Sequence, residues 1–297
     1  MNNSNTVPHT QQFLFNPDEN WLDWRWQQKN ALRDEAALRS ACGGWSDEVA
    51  LRIQQNLQGQ KMQITPYYLR QILATNQSDD ITANPLWRQV VPFWSEEELN
   101  GYDGETENWE LNDEMKTPIC QHKYANRVIL RMVNACNSYC QFCFEALRTL
   151  KVDSGKSNAG RSSFQQSLEY IKKTPSVEEV ILSGGDPLML TDNKLDESLA
   201  AIRKIRDDLL IRIHSRALTF NPYRITDALI ETLKNTASMP SVFMSVIHLN
   251  SVKNFKLPFV ASKVPYRLFF PICLSYVVSM ITKKHSTSCL SICIAWA

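Results

Sequence analysis

The chain has 297 residues, of which 43% are hydrophobic and 21% are charged, a composition typical of a soluble globular protein. Its 32 basic and 31 acidic side chains nearly cancel, so no global charge draws it to nucleic acid or to an anionic membrane. The polar start, Met1 to Gln12, lacks the apolar stretch of a secretory signal, and we expect a reduced, cytoplasmic setting for the eight cysteines.

The N-terminal part is predicted to be helical after a disordered leader over residues 1–15. An Asn-Pro-Asp-Glu segment from residue 16 supplies an N-cap, a proline at the first helical position and an acidic first turn. Further helical patterns cover about residues 46–57 and 66–77. These signals predict a helical accessory domain over residues 16–88.

A strongly acidic segment follows this helical block. Between Arg88 and Lys116 there are nine acidic residues and no basic ones. Because such charge runs usually lie in solvent, we predict a solvated connector over residues 89–115.

Strands and helices alternate over residues 116–250. Four short apolar segments rich in branched residues are predicted strands: Arg127–Val133, Glu179–Leu182, Ile211–His214 and Val242–His248. The segments between them have helical periodicity; one starts near Ser162 or Ser163, and another is capped by Thr226. This alternation predicts an α/β fold, a partial (β/α) barrel with right-handed crossovers and its chemistry at the carboxyl ends of the strands.

Three cysteines directly follow the first of these strands. Cys136, Cys140 and Cys143 have the spacing C-x3-C-x2-C, which suits three irons of a cubic [4Fe-4S] cluster and leaves the fourth iron without a protein ligand. The alternative is a zinc site, which normally needs four ligands. Only Cys120 or His122 could supply the fourth from nearby in the sequence.

The cysteine spacing resembles that of the radical S-adenosylmethionine (SAM) superfamily. The resemblance implies that SAM chelates the open iron and is cleaved reductively to a 5′-deoxyadenosyl radical. After the next strand, the segment Ser183-Gly184-Gly185-Asp186-Pro187 resembles the second element of the superfamily, and glycines there allow close approach of a ligand. By this resemblance the segment faces the methionine amino group.

Further motifs narrow the resemblance to the lysine 2,3-aminomutase family. They begin at Trp21, His122, Val180, Ile211 and His248, occur in the family's order and cover about residues 13–250. That family is similar in using a [4Fe-4S] cluster, SAM and pyridoxal 5′-phosphate (PLP) to move an amino group from the α-carbon to the β-carbon. The implied fold is a partial barrel of the radical SAM type preceded by a helical domain.

The resemblance also implies roles for single residues. Tyr124 and Arg127 are expected near PLP. Four others are expected near SAM or the mouth of the active site: Ser183, Arg216, His248 and Asn250. The plainer alternatives are an ordinary strand-edge arginine for Arg127 and a hydrogen-bonded core histidine for His248.

The implied partners are a small amino-acid substrate and an electron-donor protein such as flavodoxin or ferredoxin. Since members of the family oligomerise, a homo-oligomer is one option. Lysine-using members carry a basic cluster after the third cysteine, whereas this chain has Glu145 there. An anion at this position would repel a substrate carboxylate or pair with a cationic side chain, so arginine or another amino acid is open as the substrate.

Beyond Asn250 the pattern changes. Residues 251–297 contain six Lys or Arg, no Asp or Glu and no Gly, and no lysine there has the glycine-rich setting of the family's PLP lysine. We therefore predict a divergent tail, as from a shifted reading frame, and assign no catalytic lysine. The alternative function is a non-catalytic remnant that binds a cluster or zinc. Leu268–Ile281 is too short for a membrane span and is broken by Pro271.

Overall fold

The computed structural model describes residues 19–93, 110–141, 143, 145–149, 160–236 and 241–244. Within these ranges a helical N-terminal part precedes an α/β part in which strands and helices alternate. The architecture is a partial (β/α) barrel preceded by helices, as the sequence predicts. The predicted leader, the tail, His248 and Asn250 lie outside the described residues, and the domain boundaries stay predictions.

The helices of the N-terminal part start where the sequence supplies capping side chains. The α-helices are α1 (Trp24–Lys29), α2 (Glu35–Ala41), α3 (Asp47–Leu57), α4 (Pro66–Thr75) and α5 (Pro85–Arg88), with 3-10 turns at Glu19–Leu22 and Ile81–Ala83. The Ser46 hydroxyl accepts the Val49 N–H and the Thr65 hydroxyl accepts the Tyr68 N–H, so donors of the first turns of α3 and α4 are satisfied. The two helices predicted over about 46–57 and 66–77 are confirmed.

The first helical segment is split in two. The sequence suggests one helical face carrying Trp21, Trp24 and Gln28, but a 3-10 turn ends at Leu22 and α1 begins at Trp24. The Asp23 carboxylate between them accepts the Arg25 N–H at 2.7 Å and caps α1. A side chain that caps a new helix competes with continuation of the old one, which explains the break.

The α/β part contains one five-stranded sheet in the order β1-β2-β3-β4-β5. The strands are β1 (Cys120–Tyr124), β2 (Arg127–Val133), β3 (Glu179–Gly184), β4 (Leu210–His214) and β5 (Ser241–Met244). Strands β2 to β5 are mutually parallel, which confirms the predicted parallel sheet. The predicted fourth strand is described only as far as Met244, because the residues after it lie outside the described ranges.

Strand β1 is missing from the sequence prediction. It pairs antiparallel with β2, with Cys120 opposite Leu130 and Tyr124 opposite Arg127. Its sequence, Cys-Gln-His-Lys-Tyr, is mostly polar because only its first half is buried. An edge strand of this kind gives no apolar run that sequence reasoning could recognise.

Helices cover one face of the sheet. The helices on this face are α7 (Arg161–Lys172), α8 (Asp192–Ile205) and α10 (Asp227–Thr236). The α/β part also contains the short helices α6 (Ala146–Thr149) and α9 (Ala217–Phe220) and 3-10 turns at Pro187–Met189 and Pro222–Arg224. The starts predicted near Ser162 and at Thr226 are confirmed, and the Thr226 hydroxyl accepts the Leu229 N–H at 3.1 Å. Among the described residues, no helix is long and apolar enough to cross a membrane.

The two faces of the parallel strands differ in polarity. Alternate strand residues such as Val128, Val180 and Ile211 are fully buried in a core with the apolar sides of α7, α8 and α10. Because successive side chains of a strand point to opposite faces, the other face carries polar groups, including Arg131, Ser183, Arg212 and His214. This polar concave face is the side on which a ligand could be held.

A second hydrophobic core joins the N-terminal helices to the α/β part. Phe220 of α9 packs edge-on against Tyr68 of α4, with ring centroids 4.7 Å apart. The Trp21 indole N–H donates to the Tyr223 hydroxyl at 2.9 Å. Gln27 is fully buried and bridges two backbone groups within the N-terminal part. The N-terminal helices are therefore packed directly against the carboxyl side of β4.

Candidate active site

The Gly-Gly-Asp segment holds the backbone that leads into the cysteine loop. The Gly185 N–H donates to the Val133 carbonyl at 2.5 Å, and the Asp186 N–H donates to the Ala135 carbonyl at 2.8 Å. Gly184 has φ +109°, and a Cβ there would lie 2.5 Å from the Val133 oxygen. A Cβ on Gly185 would collide with the Ala135 backbone. In this structure the glycines permit close approach of the chain to itself.

Asp186 ties the ends of two strands together. Its carboxylate accepts the Ser215 hydroxyl at 3.0 Å and the Arg216 N–H at 3.1 Å, both just after β4. It also accepts the Leu188 N–H at 3.0 Å and so caps the following 3-10 turn. Burial raises the pKa of this carboxyl, and these hydrogen bonds lower it in part. The contacts fix the Asp186 carboxyl group in position beside the cysteine loop.

Side chains from distant segments of the chain also hold the cysteine loop. The Gln63 side-chain amide donates to the Cys136 carbonyl at 2.9 Å, and Gln28 donates to the Asn137 side-chain oxygen at 2.6 Å. Asn221 donates to the same oxygen at 3.1 Å. Sequence reasoning missed Gln63 and Asn221. Gln28 belongs to the first family-like motif, which begins at Trp21. That motif was the signal for Gln28 but did not indicate its contact with the cysteine loop.

The three cysteine thiols share one partly exposed environment. Burial raises the pKa of Cys136, Cys140 and Cys143, that of Cys143 to about 11, and the neighbouring Cys140 raises the pKa of the other two further. An Arg216 guanidinium N–H lies 2.7 Å from the Cys140 sulfur, and its charge lowers that thiol's pKa in part. The Thr149 hydroxyl lies 3.5 Å from the Cys143 sulfur. Binding of metal here would have to displace thiol protons.

The two residues that could complete a zinc site, Cys120 and His122, are engaged elsewhere. A zinc ion holds its thiolates ~2.3 Å from the metal and hence ~3.8 Å from one another, whereas the three thiolates of a cubane bind three separate irons. Within the described part of the chain, no three His, Cys, Asp or Glu side chains converge on one point closely enough for a metal ion. Cys120 is fully buried in the sheet core, and His122 contacts the Tyr170 hydroxyl at 2.6 Å, so both are otherwise engaged.

A buried ion-pair network lies under the loop. Arg131 of β2 has its Nε 2.7 Å from Glu145 and 3.3 Å from Glu110, and its side chain is 0% exposed. Arg148 of α6 donates to both oxygens of the Glu110 carboxylate and to the Pro118 carbonyl, the last at 2.6 Å. Two cations and two anions therefore balance. The network fixes α6, which begins three residues after Cys143.

This network corrects two expectations. Glu145 does pair with a cationic side chain, but that cation is the protein's own Arg131, so its charge is neutralised and does not face outward to repel a substrate carboxylate. Burial still raises the pKa of Glu145 despite the ion pair. Glu110, from the acidic segment expected to lie in solvent, is only 5% exposed. The sequence did contain an indication of this ion pair, because an arginine buried within an otherwise apolar strand needs a buried anion as its partner.

The predicted site residues fall into two groups. One group lies together at the carboxyl ends of the parallel strands: Cys136, Cys140, Cys143, Ser183, Gly184, Gly185, Asp186 and Arg216. Tyr124 and Arg127 lie instead at the amino end of β2. Six residue steps of ~3.3 Å each lead from Arg127 to Val133, a span of about 20 Å.

The amino end of the concave face has its own charged cluster. Arg127 lies 3.6 Å and Arg212 lies 2.6 Å from the Glu179 carboxylate. Two guanidinium groups thus share one carboxylate. Tyr124 is next to them and 60% exposed.

His214 sits on the concave face between these two groups. Its Nε2 is buried without a hydrogen-bond partner among the described residues, and burial, helped by the Arg212 charge, lowers its pKa from 6.5 to about 4. Between these values the unfolded chain binds the proton and the folded chain does not, so the free energy of unfolding rises with pH across this window. The imidazole is therefore neutral above about pH 5.

We expect the His214→Gln variant to lose part of the acid sensitivity of the protein. Between pH 7 and pH 5 the unfolding free energy of the wild type should fall by about 2 kcal/mol more than that of the variant. Only the wild type has a histidine whose protonation is suppressed by folding. Urea unfolding of both proteins at the two pH values measures the difference. Equal pH dependence in the two proteins would contradict the lowered pKa.

Comparisons with known proteins agree with the motifs. Residues 130–260 match the family model described as the Radical SAM superfamily. The chain is 35% identical over 219 residues to the L-lysine 2,3-aminomutase of Methanococcus maripaludis, covering 73% of this chain and 48% of that protein. It is 34% identical over 216 residues to that of Acetoanaerobium sticklandii, covering 73% and 50%. The chain spans about half the length of these curated relatives.

Proposed function

We propose that this chain, which matches the Radical SAM superfamily model over residues 130–260 and is similar to the L-lysine 2,3-aminomutases, is a radical SAM aminomutase, an isomerase of a small amino acid. Its [4Fe-4S] cluster would be held by Cys136, Cys140 and Cys143. When bound, the cluster and SAM supply a 5′-deoxyadenosyl radical that abstracts hydrogen from the substrate. The observation that supports this proposal most directly is that the Gly-Gly-Asp segment hydrogen-bonds to the backbone just before Cys136.

The residues of the chain have defined tasks in this proposal. The backbone contacts of Gly185 and Asp186 with Val133 and Ala135 hold the start of the loop against β3. The ion pair between Arg131 and Glu145 holds its end. A loop fixed at both ends keeps three sulfurs in place while one iron stays open, which is what chelation of a cofactor requires.

The concave face would hold the substrate and PLP. Arg127 and Arg212 bring guanidinium groups to this face, and such groups bind phosphate esters, which supports PLP binding with its phosphate toward the amino ends of the strands. All lysines of residues 251–297 lie outside the described residues. Since Glu145 is neutralised inside the protein, the proposal leaves the substrate as lysine, arginine or another amino acid.

The proposed chemistry also needs an electron. We propose an electron-donor protein such as flavodoxin or ferredoxin as the partner, a cytoplasmic location, and no role for nucleic acid or membrane. The near-neutral balance of 32 basic and 31 acidic residues supports the last point.

Electron paramagnetic resonance (EPR) spectroscopy tests the proposal. The protein, reconstituted anaerobically with iron and sulfide and then reduced, is expected to give a cubane signal that changes on addition of SAM. The Cys143→Ala variant should contain at least about tenfold less cluster than the wild type, because it lacks one of the three thiolate ligands. The matched variant Cys120→Ala, outside the loop, should keep it.

The other outcomes are equally informative. Zinc in place of a cubane would refute the radical SAM assignment for this chain. A cubane signal that ignores SAM would indicate a non-catalytic remnant. With a SAM-dependent signal in hand, formation of 5′-deoxyadenosine in the presence of lysine, arginine or other amino acids identifies the substrate.

A further inference from the structure

We propose that Arg216 is a positioning residue for the cluster, whose guanidinium donates to the Cys140 sulfur and thereby raises the reduction potential of the cluster. The inference rests on the proposed function, because it requires a cluster bound at Cys140. It departs from the expectation that Arg216 serves SAM.

The guanidinium of Arg216 is held in place by several groups. One terminal nitrogen lies 2.7 Å from the Cys140 sulfur, and the other donates to the Gln89 side-chain oxygen at 3.0 Å. Its central carbon lies 4.4 Å from the centre of the Phe220 ring, over its face. The backbone N–H of Arg216 is bound to Asp186 at 3.1 Å. A group fixed in this way keeps its position relative to the sulfur.

The same surroundings fix the sulfur's own segment. The Gln89 carbonyl accepts the N–H of Gln141, the residue after Cys140, at 2.8 Å. Gln89 therefore holds both the donor and the loop that carries the acceptor. This shared anchor argues that the contact between Arg216 and Cys140 is a built feature of the site.

The electrostatic effect has a definite sign. Reduction adds an electron to the cluster, and a fixed cation with N–H groups directed at a ligand sulfur stabilises the more negative, reduced state. Asp186 is the nearby acidic residue, and its carboxyl oxygens already accept hydrogen bonds from Ser215 and from backbone N–H groups. The net influence of Arg216 is therefore to make the cluster easier to reduce.

Two variants test this assignment in the full-length, reconstituted protein. Arg216→Gln removes the charge, and its midpoint potential, from an EPR-monitored redox titration, should fall by about 59 mV, a tenfold change in a one-electron equilibrium. Arg216→Lys keeps the charge but loses the planar fork, so its potential should fall by less. Lys194→Gln removes an exposed charge on α8 and should leave the potential unchanged.

The affinity for SAM, measured from the SAM-induced spectral change, separates the alternatives. Retained affinity with a lower potential supports the inference. An unchanged potential with SAM affinity weakened at least tenfold overturns it and assigns Arg216 to SAM. If Arg216→Gln assembles no cluster, the lysine variant decides, and a wild-type potential there overturns the inference. Absence of a cubane in the wild type contradicts the proposed function and the inference together.

Discussion

Gly185→Ala is expected to disrupt the cysteine loop and to reduce cluster content at least about tenfold, at a stability cost of about 3 kcal/mol. The added methyl group would collide with the Ala135 backbone, with Ala135 C at 2.8 Å and N at 2.9 Å. Since backbone cannot move aside as a side-chain tip can, the strand end and the loop must separate. Iron content after reconstitution and urea unfolding of the apo-protein measure the two effects.

Gly59→Ala is the matched control. A Cβ at Gly59 meets nothing within 4 Å, and this glycine has no positive φ. We expect its iron content and unfolding free energy to stay near those of the wild type. If Gly185→Ala also behaved like the wild type, the close approach of the Gly-Gly-Asp segment to Ala135 would be wrong.

Arg131→Met is the second change with a large expected effect. It should lower the unfolding free energy by about 3–5 kcal/mol, because Glu145 would remain buried without its closest cation. The double variant Arg131→Met/Glu145→Met should recover much of this loss, since Glu110 and Arg148 then remain as a balanced pair. Urea unfolding of the apo-proteins gives the three values and hence the coupling between the two residues.

An exposed ion pair provides the comparison for this experiment. Lys194 and Glu197 on α8 lie 2.9 Å apart, and each side chain is 66% exposed. Lys194→Met should cost no more than about 1 kcal/mol, because water replaces the lost partner. Equal losses for Lys194→Met and Arg131→Met would show that the network under the loop is not buried in solution.

The sequence predicts those parts of the fold that repeat a local pattern. Strands β2 to β4 are found because Val128, Ile181 and Ile211 belong to compact branched apolar runs. Helices α3 and α4 are found because their residues follow a helical pattern. Strand β1 is not predicted from the sequence, because half of it faces solvent and its residues do not alternate in polarity.

The candidate site is predictable to the extent that it is local. Cys136, Cys140 and Cys143 are within eight residues, and their spacing carries the chemistry. The partners of the loop come from distant segments: Gln63 is 73 residues before Cys136, and Arg216 is 76 residues after Cys140. No local pattern states which glutamine or arginine will arrive there, so these contacts emerge only when the tertiary packing is known.

The anchoring of the loop by the N-terminal helices has a consequence for the order of folding. Contacts such as Gln28 to Asn137 and Trp21 to Tyr223 close loops of 109 and 202 residues. Contacts of such high sequence separation form slowly, since chain entropy must be lost before they stabilise anything. The N-terminal helices leave the ribosome first but can reach their docking surface only after α9 and Tyr223 have been synthesised. We therefore expect maturation of the metal centre to be a late event that waits for this docking, during which the cysteines are open to oxidation.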